Sequence, residues 1–159
     1  MTSDLTPAEV LELLPHQRPC LFIDEILELD SAHALTKYAW REEDCSGHFP
    51  GNPVVPGVKM IEMASQSAVV AWGIYLKGAR DAGQDAFFTE VDRVVFKKSV
   101  RPGETAVCLA SFGRDGSFVD GRMTADVELK FLGGPKDGET IFSGKIAGVW
   151  APKDTENLK

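Results

Sequence analysis

The sequence has few positive charges. Its 159 residues include 17 Lys and Arg against 24 Asp and Glu, which gives a formal net charge of −7. An acidic protein repels phosphate at long range, whereas proteins that bind nucleic acid bring basic surfaces to it. The composition therefore excludes nucleic acid as an expected partner.

Cysteine is also scarce. The three cysteines, Cys20, Cys45 and Cys108, are odd in number and far apart, a pattern typical of free thiols in a reducing compartment rather than of a disulfide framework. The first ten residues carry acids and a proline where a signal peptide would have basic and then apolar residues. We therefore expect a cytoplasmic protein.

Long apolar runs are missing too. The longest uncharged stretch, residues 63–76, is shorter than the roughly 20 residues that a membrane-spanning helix needs. With 43% hydrophobic and 26% charged residues, the composition is that of an ordinary globular protein. We expect one domain over residues 1–159, in which residues 151–159 form a polar tail.

Local patterns predict one short helix and a series of strands. Thr6, Pro7 and Glu9 match a capping box with proline at the first helical position, which starts a helix that runs to about Leu14. Asp115-Gly116 and residues 133–138 predict hairpin turns. β-branched, aromatic or alternating residues predict strands over residues 21–29, 34–40, 86–100, 104–112, 117–132 and 139–150.

Between these strands lie a proline-rich loop and an apolar helix. In residues 47–57 prolines recur every third residue, which excludes both a helix and a central strand. From Gly57 onward, apolar residues recur at helical spacing and the other positions are mostly apolar or small, as in a fully buried helix. One buried helix among antiparallel strands predicts an α+β domain in which a curled sheet wraps the helix.

Two residues of this region form a candidate acid/base pair. His48 lies in the loop, and histidine is the residue type most often used to accept or donate a proton at neutral pH. Glu62 lies in the apolar helix, where a carboxyl is an unusual residue and a candidate proton donor. The N–H of Gly57 falls at the helix N-terminus, which attracts a developing oxyanion. The alternatives are a solvated histidine and an ordinary ion pair between Glu62 and Lys59, three residues earlier.

His48 and Glu62 need not meet within one chain. An extended proline-rich stretch rises about 3.1 Å per residue, so residues 48–56 could span roughly 25 Å. An extended loop would keep His48 away from its own Glu62. Either the loop folds back, or a second subunit related by a two-fold axis completes the pair.

The same region allows two other kinds of chemistry. A tetrahedral zinc site tolerates the spacings of two imidazoles and two thiols, which here are His16, Cys20, Cys45 and His48. Cys45 and His48 alone would be a nucleophile and its base. These hypotheses compete with the acid/base pair for the same histidine.

The few basic residues are partly clustered. Four of them lie on one predicted strand and at its exit: Arg93, Lys97, Lys98 and Arg101. Such a cluster is either an ordinary solvated face or a local docking patch for an anionic partner.

A long motif resembles a known enzyme family. Residues 48–58 read HFPGNPVVPGV, Glu62 follows the histidine by fourteen residues, and Gln66 follows the glutamate by four. This pattern resembles the 3-hydroxyacyl-[acyl-carrier-protein] dehydratases of fatty acid synthesis. The resemblance extends to residues 14–16, 19–24 and 96–103, so it covers most of the chain.

The resemblance implies a fold and a division of roles. The fold is the hot-dog fold, a long helix wrapped by a curved antiparallel sheet, in a homodimer or a trimer of dimers. His48 would remove the proton α to a thioester carbonyl, and Glu62 of the partner subunit would protonate the departing β-hydroxyl. The Gly57 amide would polarise the carbonyl, and Gln66 would orient the carboxylate.

The resemblance also implies the substrate and its carrier. The substrate would be a 3-hydroxyacyl thioester on an acyl carrier protein, with Phe49 and Val58 lining the tunnel for the pantetheine arm and acyl chain. No cofactor and no metal are implied. The basic cluster would dock the carrier, which is itself acidic. Glu62 stands where the isomerising branch of the family has aspartate, which indicates the plain dehydratase branch.

Other functions stay open beside this one. A hot-dog thioesterase would use Glu62 to activate water, and a non-catalytic subunit would keep the fold, with or without a structural zinc. Gln17, Arg18 and Cys20 replace residues that the family usually has after its first histidine. These replacements favour a different acyl preference or a specialised pathway.

Overall fold

A short capped helix opens the fold. The computed structural model describes residues 3–158, and its first helix is α1 (Pro7–Leu13). The Glu9 N–H donates to the Thr6 hydroxyl at 3.3 Å, and the Thr6 N–H donates to the Glu9 carboxylate at 2.7 Å. The predicted capping box is confirmed.

A buried helix runs through the centre of the molecule. Its three parts are α2 (Gly57–Ser65), a π-helical segment (Gln66–Trp72) and α3 (Gly73–Lys77). Residues 63–75 are all buried, so the predicted start at Gly57 and the predicted burial are confirmed. The Trp150 indole donates to the Val69 carbonyl in the π segment at 2.9 Å. Within residues 3–158, neither this helix nor another is long and apolar enough to cross a membrane.

Antiparallel strands wrap this helix. They are β1 (Glu25–Leu29), β2 (His33–Ala39), β3 (Gln84–Phe96), β4 (Thr105–Ser111), β5 (Ser117–Val119), β6 (Arg122–Phe131) and β7 (Thr140–Pro152). The sheet order is β1-β2-β4-β6-β7-β3, and β5 pairs with β6. A short 3₁₀ helix (Glu42–Cys45) leads into the proline-rich loop. A curved sheet around one buried helix is the hot-dog fold that the sequence predicted.

One predicted strand and one predicted hairpin are wrong. Residues 117–132 form two strands, β5 and β6, which pair with each other across Asp120 and Gly121. Both turn residues have positive φ, 49° and 75°, as a two-residue type I′ hairpin requires. The expected hairpin at Asp115-Gly116 is not formed, because β4 pairs with β6 instead of with β5.

The remaining strands lie within a few residues of their predicted positions. β7 continues past its predicted end, since its last two residues still pair with the start of β3. The part of the predicted tail that lies outside the sheet therefore begins after Pro152. Met1, Thr2 and Lys159, the outermost residues of the predicted domain and tail, lie outside the described residues.

The core between helix and sheet also anchors the segment that precedes β1. The rings of Phe22, Tyr38 and Trp40 pack against one another with centroids 4.8–5.6 Å apart. Aromatic packing of this kind contributes about 0.5–1.5 kcal/mol per pair beyond simple burial. It holds the backbone around Phe22 against the central helix, next to the candidate site.

Candidate active site

The loop that carries His48 is folded, not extended. The Asn52 N–H donates to the Phe49 carbonyl at 2.9 Å, and Gly51 has a φ of 72°, as in a type II turn with a Pro-Gly pair at its centre. The Val54 N–H then donates to the His48 carbonyl at 2.8 Å. The chain thus returns to His48 within six residues.

The folded loop fixes the tautomer of His48. Its Nδ1 lies 2.8 Å from the Val54 carbonyl oxygen. Because a carbonyl can only accept a hydrogen bond, Nδ1 carries the proton of the neutral imidazole and Nε2 keeps its lone pair. His48 therefore presents Nε2 as a base.

His48 shares a cleft with the N-terminus of the central helix. The cleft has a volume of about 370 Å³, and its walls include His48, Gly57, Met60 and Phe96. Gly57 is the first residue of α2, so its N–H has no acceptor within the helix. A Cβ at this position would come within 3.2 Å of two atoms of the Phe96 ring. Glycine thus lets the ring pack closely, and one cavity is lined by His48 and by the helix-terminal N–H of Gly57.

Glu62 lies on the next turn of α2 and is held by Gln66. The Gln66 amide nitrogen donates to Glu62 Oε1 at 3.0 Å and to the Cys20 carbonyl at 2.6 Å. The Gln66 oxygen accepts from the Phe22 N–H at 2.8 Å. The backbone on both sides thus fixes the orientation of the amide, which positions the Glu62 carboxyl.

The structure excludes one alternative for Glu62 and corrects one expectation about it. Lys59 does not pair with it, because the Lys59 ammonium donates to the Asp44 carbonyl at 2.8 Å. The Glu62 side chain is also 40% exposed rather than buried. Its position on α2 leaves the carboxyl at the surface of the single chain, where substrate or a second subunit can reach it.

His16 is a neighbour of Glu62 that the sequence did not assign to this site. Its Nε2 lies 3.6 Å from Glu62 Oε1. Burial lowers the pKa of His16, and the Glu62 and Asp85 carboxylates oppose this shift. The signal in the sequence was the Leu-Pro-His run at residues 14–16, which matched the family without indicating a contact with Glu62.

The structure does not bring His48 and Glu62 together. Within residues 3–158 no hydrogen bond or ion pair joins them, although the loop folds back. Phe49 and Val58, expected along the substrate tunnel, are 54% and 74% exposed. The predicted site is therefore in two parts on one chain, and both parts face outward.

The predicted basic cluster is also divided. Lys97 and Lys98 line the cleft of His48. Arg101 clamps the His48 loop, donating to Asn52 Oδ1 at 2.8 Å and to the Pro53 carbonyl at 3.2 Å. Arg93 lines a different cleft, over β4, β6 and β7.

The thiol hypotheses find no support in the geometry. Within residues 3–158, no three His, Cys, Asp or Glu side chains are grouped as metal ligands. Burial and the Asp44 carboxylate raise the pKa of the Cys45 thiol, which weakens it as a nucleophile. Burial raises the pKa of the Cys108 thiol to about 12.

The curved sheet around one buried helix defines a hot-dog protein, with His48 and the N-terminus of α2 lining one cleft and Gln66 holding Glu62. A family model described as ApeI-like, ApeI dehydratase, matches residues 29–126. The FabZ 3-hydroxyacyl-[acyl-carrier-protein] dehydratase of Oenococcus oeni is 42% identical in an alignment of 140 positions that covers 80% of this chain and 99% of the relative. That of Enterococcus faecalis is 34% identical in an alignment of 140 positions that covers 80% of this chain and 97% of the relative. The chain belongs to the 3-hydroxyacyl-[acyl-carrier-protein] dehydratase family.

Solved structures agree with the fold. A chain of the dehydratase heterocomplex ApeI:P from Xenorhabdus doucetiae superposes with a TM-score of 0.72 at 15% identity, over 94% of this chain and 93% of that chain. A thioesterase superfamily member from Thermus thermophilus superposes with a TM-score of 0.55 at 18% identity, over 86% of this chain and 88% of that chain. At such identities the likeness concerns the fold alone.

Proposed function

We propose that this protein is a (3R)-hydroxyacyl-[acyl-carrier-protein] dehydratase, which releases water to give a trans-2-enoyl thioester. One observation carries the proposal: the Nδ1 contact with the Val54 carbonyl leaves a basic Nε2 on His48 in the same cleft as the Gly57 amide. The FabZ relatives support the choice of substrate.

The elimination follows from these positions. His48 Nε2 takes the proton α to the thioester carbonyl, and the electron pair moves toward the carbonyl oxygen, which the Gly57 N–H stabilises. The pair then forms the carbon–carbon double bond as the β-hydroxyl leaves with a proton from Glu62. The products are enoyl thioester and water. His48 holds one extra proton and Glu62 lacks one, so proton exchange with solvent restores both.

The two parts of the site complete each other in a homodimer, with His48 of one subunit facing Glu62 of the partner subunit. β3 is an edge strand of thirteen residues, and Phe88, Val91 and Val95 on it are exposed. A long apolar edge favours pairing with a second chain. The same association would cover Phe49 and Val58, which we propose line the substrate tunnel. The family resemblance also implies a trimer of dimers, but a dimer suffices for this site.

Purified protein mixed with a small 3-hydroxyacyl thioester is expected to produce the ultraviolet absorbance of an enoyl thioester. The base, the oxyanion donor and the acid are all present, so no cofactor needs to be added. Free thiol should be assayed in the same samples. Release of thiol without enoyl product would identify a thioesterase and contradict the proposal.

Docking of the carrier is proposed to use the basic residues around the His48 cleft, because two acidic proteins repel each other at long range. The double variant Lys97→Glu, Lys98→Glu should raise KM for a carrier-bound substrate about tenfold, since charges at the rim of an interface mainly steer association. KM for a small thioester should stay the same. Steady-state kinetics on the two substrates measure this difference.

Matched variants define the extent of this docking surface. Lys130→Glu reverses a charge on β6, beside Glu128, and should leave both substrates unaffected. Arg93→Glu and Arg101→Glu test whether the surface extends to the other two basic residues. If the Lys97, Lys98 double variant raises KM equally for both substrates, the two lysines act in the cleft and not in docking.

A further inference from the structure

The contacts of the Glu62 carboxyl are unequal. Both neighbouring nitrogens approach the same oxygen, Oε1: Gln66 Nε2 at 3.0 Å and His16 Nε2 at 3.6 Å. Oε2 has no hydrogen-bond partner within residues 3–158. Oε1 is therefore the oxygen that the protein contacts, and Oε2 is available to a ligand.

The environment of His16 selects its tautomer. His16 Nδ1 is buried and has no hydrogen-bond partner within the described residues. An orphaned N–H donor in such a place costs about 1–3 kcal/mol, whereas Nε2 faces a carboxylate oxygen. The proton of the neutral ring therefore belongs on Nε2, where it is directed at Oε1.

Burial and the Arg80 cation favour the neutral form of His16. The carboxylates facing it are Glu62 on α2 and Asp85 on β3, and the cations are Arg80, which precedes β3, and Lys153, which follows β7. Burial lowers the pKa of His16, Arg80 adds to this shift, and the two carboxylates oppose it. A neutral ring can donate a hydrogen bond to Oε1 without placing a positive charge beside the carboxyl.

We propose that His16 is a positioning residue for Glu62: its Nε2–H, together with Gln66, holds Oε1, so that Oε2 is the oxygen that delivers the proton to the leaving hydroxyl. This inference rests on the proposed dehydratase function. The present 3.6 Å is too long for a direct hydrogen bond, and such contacts shorten when substrate closes the site. The role belongs to this chain's own Glu62, because His16 and Glu62 meet within one subunit.

Kinetics of three variants test the role. His16→Ala should lower kcat for a small 3-hydroxyacyl thioester about 10- to 100-fold, the scale of a misplaced catalytic group, with KM changed less than about twofold. His16→Gln, whose amide can donate to Oε1, should recover much of this loss. Glu12→Ala, an exposed position on α1 just before the loop that carries His16, should match the unmodified protein. Equal defects in His16→Ala and His16→Gln, with both folded, would overturn the inference.

A second measurement is independent of activity. Nitrogen-15 shifts of the imidazole should show a protonated Nε2 and a bare Nδ1 in His16. Removing the carboxylate by Glu62→Gln should lower the pKa of His16 further, since Glu62 raises it. A protonated Nδ1 would contradict the contact itself. A His16 pKa that is the same in Glu62→Gln as in the unmodified protein would contradict it too. If the protein fails to dehydrate any thioester, the proposed function fails while these shifts still decide the contact.

Discussion

Replacing His48 with asparagine should reduce kcat for a 3-hydroxyacyl thioester by about 10²- to 10⁴-fold, the usual contribution of a positioned acid or base. The asparagine amide can still donate to the Val54 carbonyl, which Nδ1 contacts at 2.8 Å, so the loop should keep its fold. What the variant removes is the lone pair of Nε2. The expected result is therefore a loss of turnover with little change in KM or in the melting temperature.

Two further variants sharpen this test. His48→Ala removes both the base and the loop hydrogen bond, so it should be as inactive as His48→Asn but less stable. His33→Ala changes a surface histidine that contacts Glu28 at 2.6 Å and should retain full activity. If His48→Asn keeps more than about a tenth of the original kcat, His48 is not the base.

Local sequence signals predicted the elements whose structure is decided locally. The first helix is fixed by Thr6 and Glu9, which satisfy each other's backbone N–H groups. The central helix is marked by apolar residues on all its faces, because a helix of this kind is stable only when it is buried. Local signals could not predict the hairpin between β5 and β6. Asp115-Gly116 and Asp120-Gly121 carry the same turn signal, and only the pairing of β4 with β6 decides between them.

In the candidate site, too, some features follow from local sequence signals and others depend on tertiary packing. His48, Gly57, Glu62 and Gln66 could be chosen as candidate residues because they lie within one continuous motif. The folded loop was also readable, since Pro50-Gly51 is the usual pair at the centre of a type II turn. The reach of the chain by itself had left a folded loop and a second subunit as two open alternatives.

Contacts that join distant segments had no local signal. His16 approaches Glu62 at 3.6 Å only because the segment around Phe22 is packed against the central helix through Gln66. Lys59 turns to the Asp44 carbonyl, at 2.8 Å, instead of to the acid on its own helix. Both depend on tertiary packing, which can override the preference for pairing at helical spacing.

Heterodimers should show whether two subunits share each site. Co-expressed chains with different tags allow purification of dimers that contain one His48→Asn chain and one Glu62→Gln chain. If His48 works with Glu62 of the partner subunit, one site receives both substitutions and the other receives none. Such a dimer should have about half of the unmodified activity, whereas each parent homodimer should be nearly inactive.

The reciprocal heterodimer distinguishes this result from a partial effect of either substitution. It pairs a chain carrying both His48→Asn and Glu62→Gln with an unmodified chain. In a shared arrangement every site then has one defect, and the dimer should be nearly inactive. If each site lies within one chain, the unmodified chain keeps a complete site. This heterodimer would then have about half of the unmodified activity, and the first heterodimer would be nearly inactive. His48 and Glu62 have no contact on the single chain, and the Glu62 side chain is exposed, so we expect the shared result.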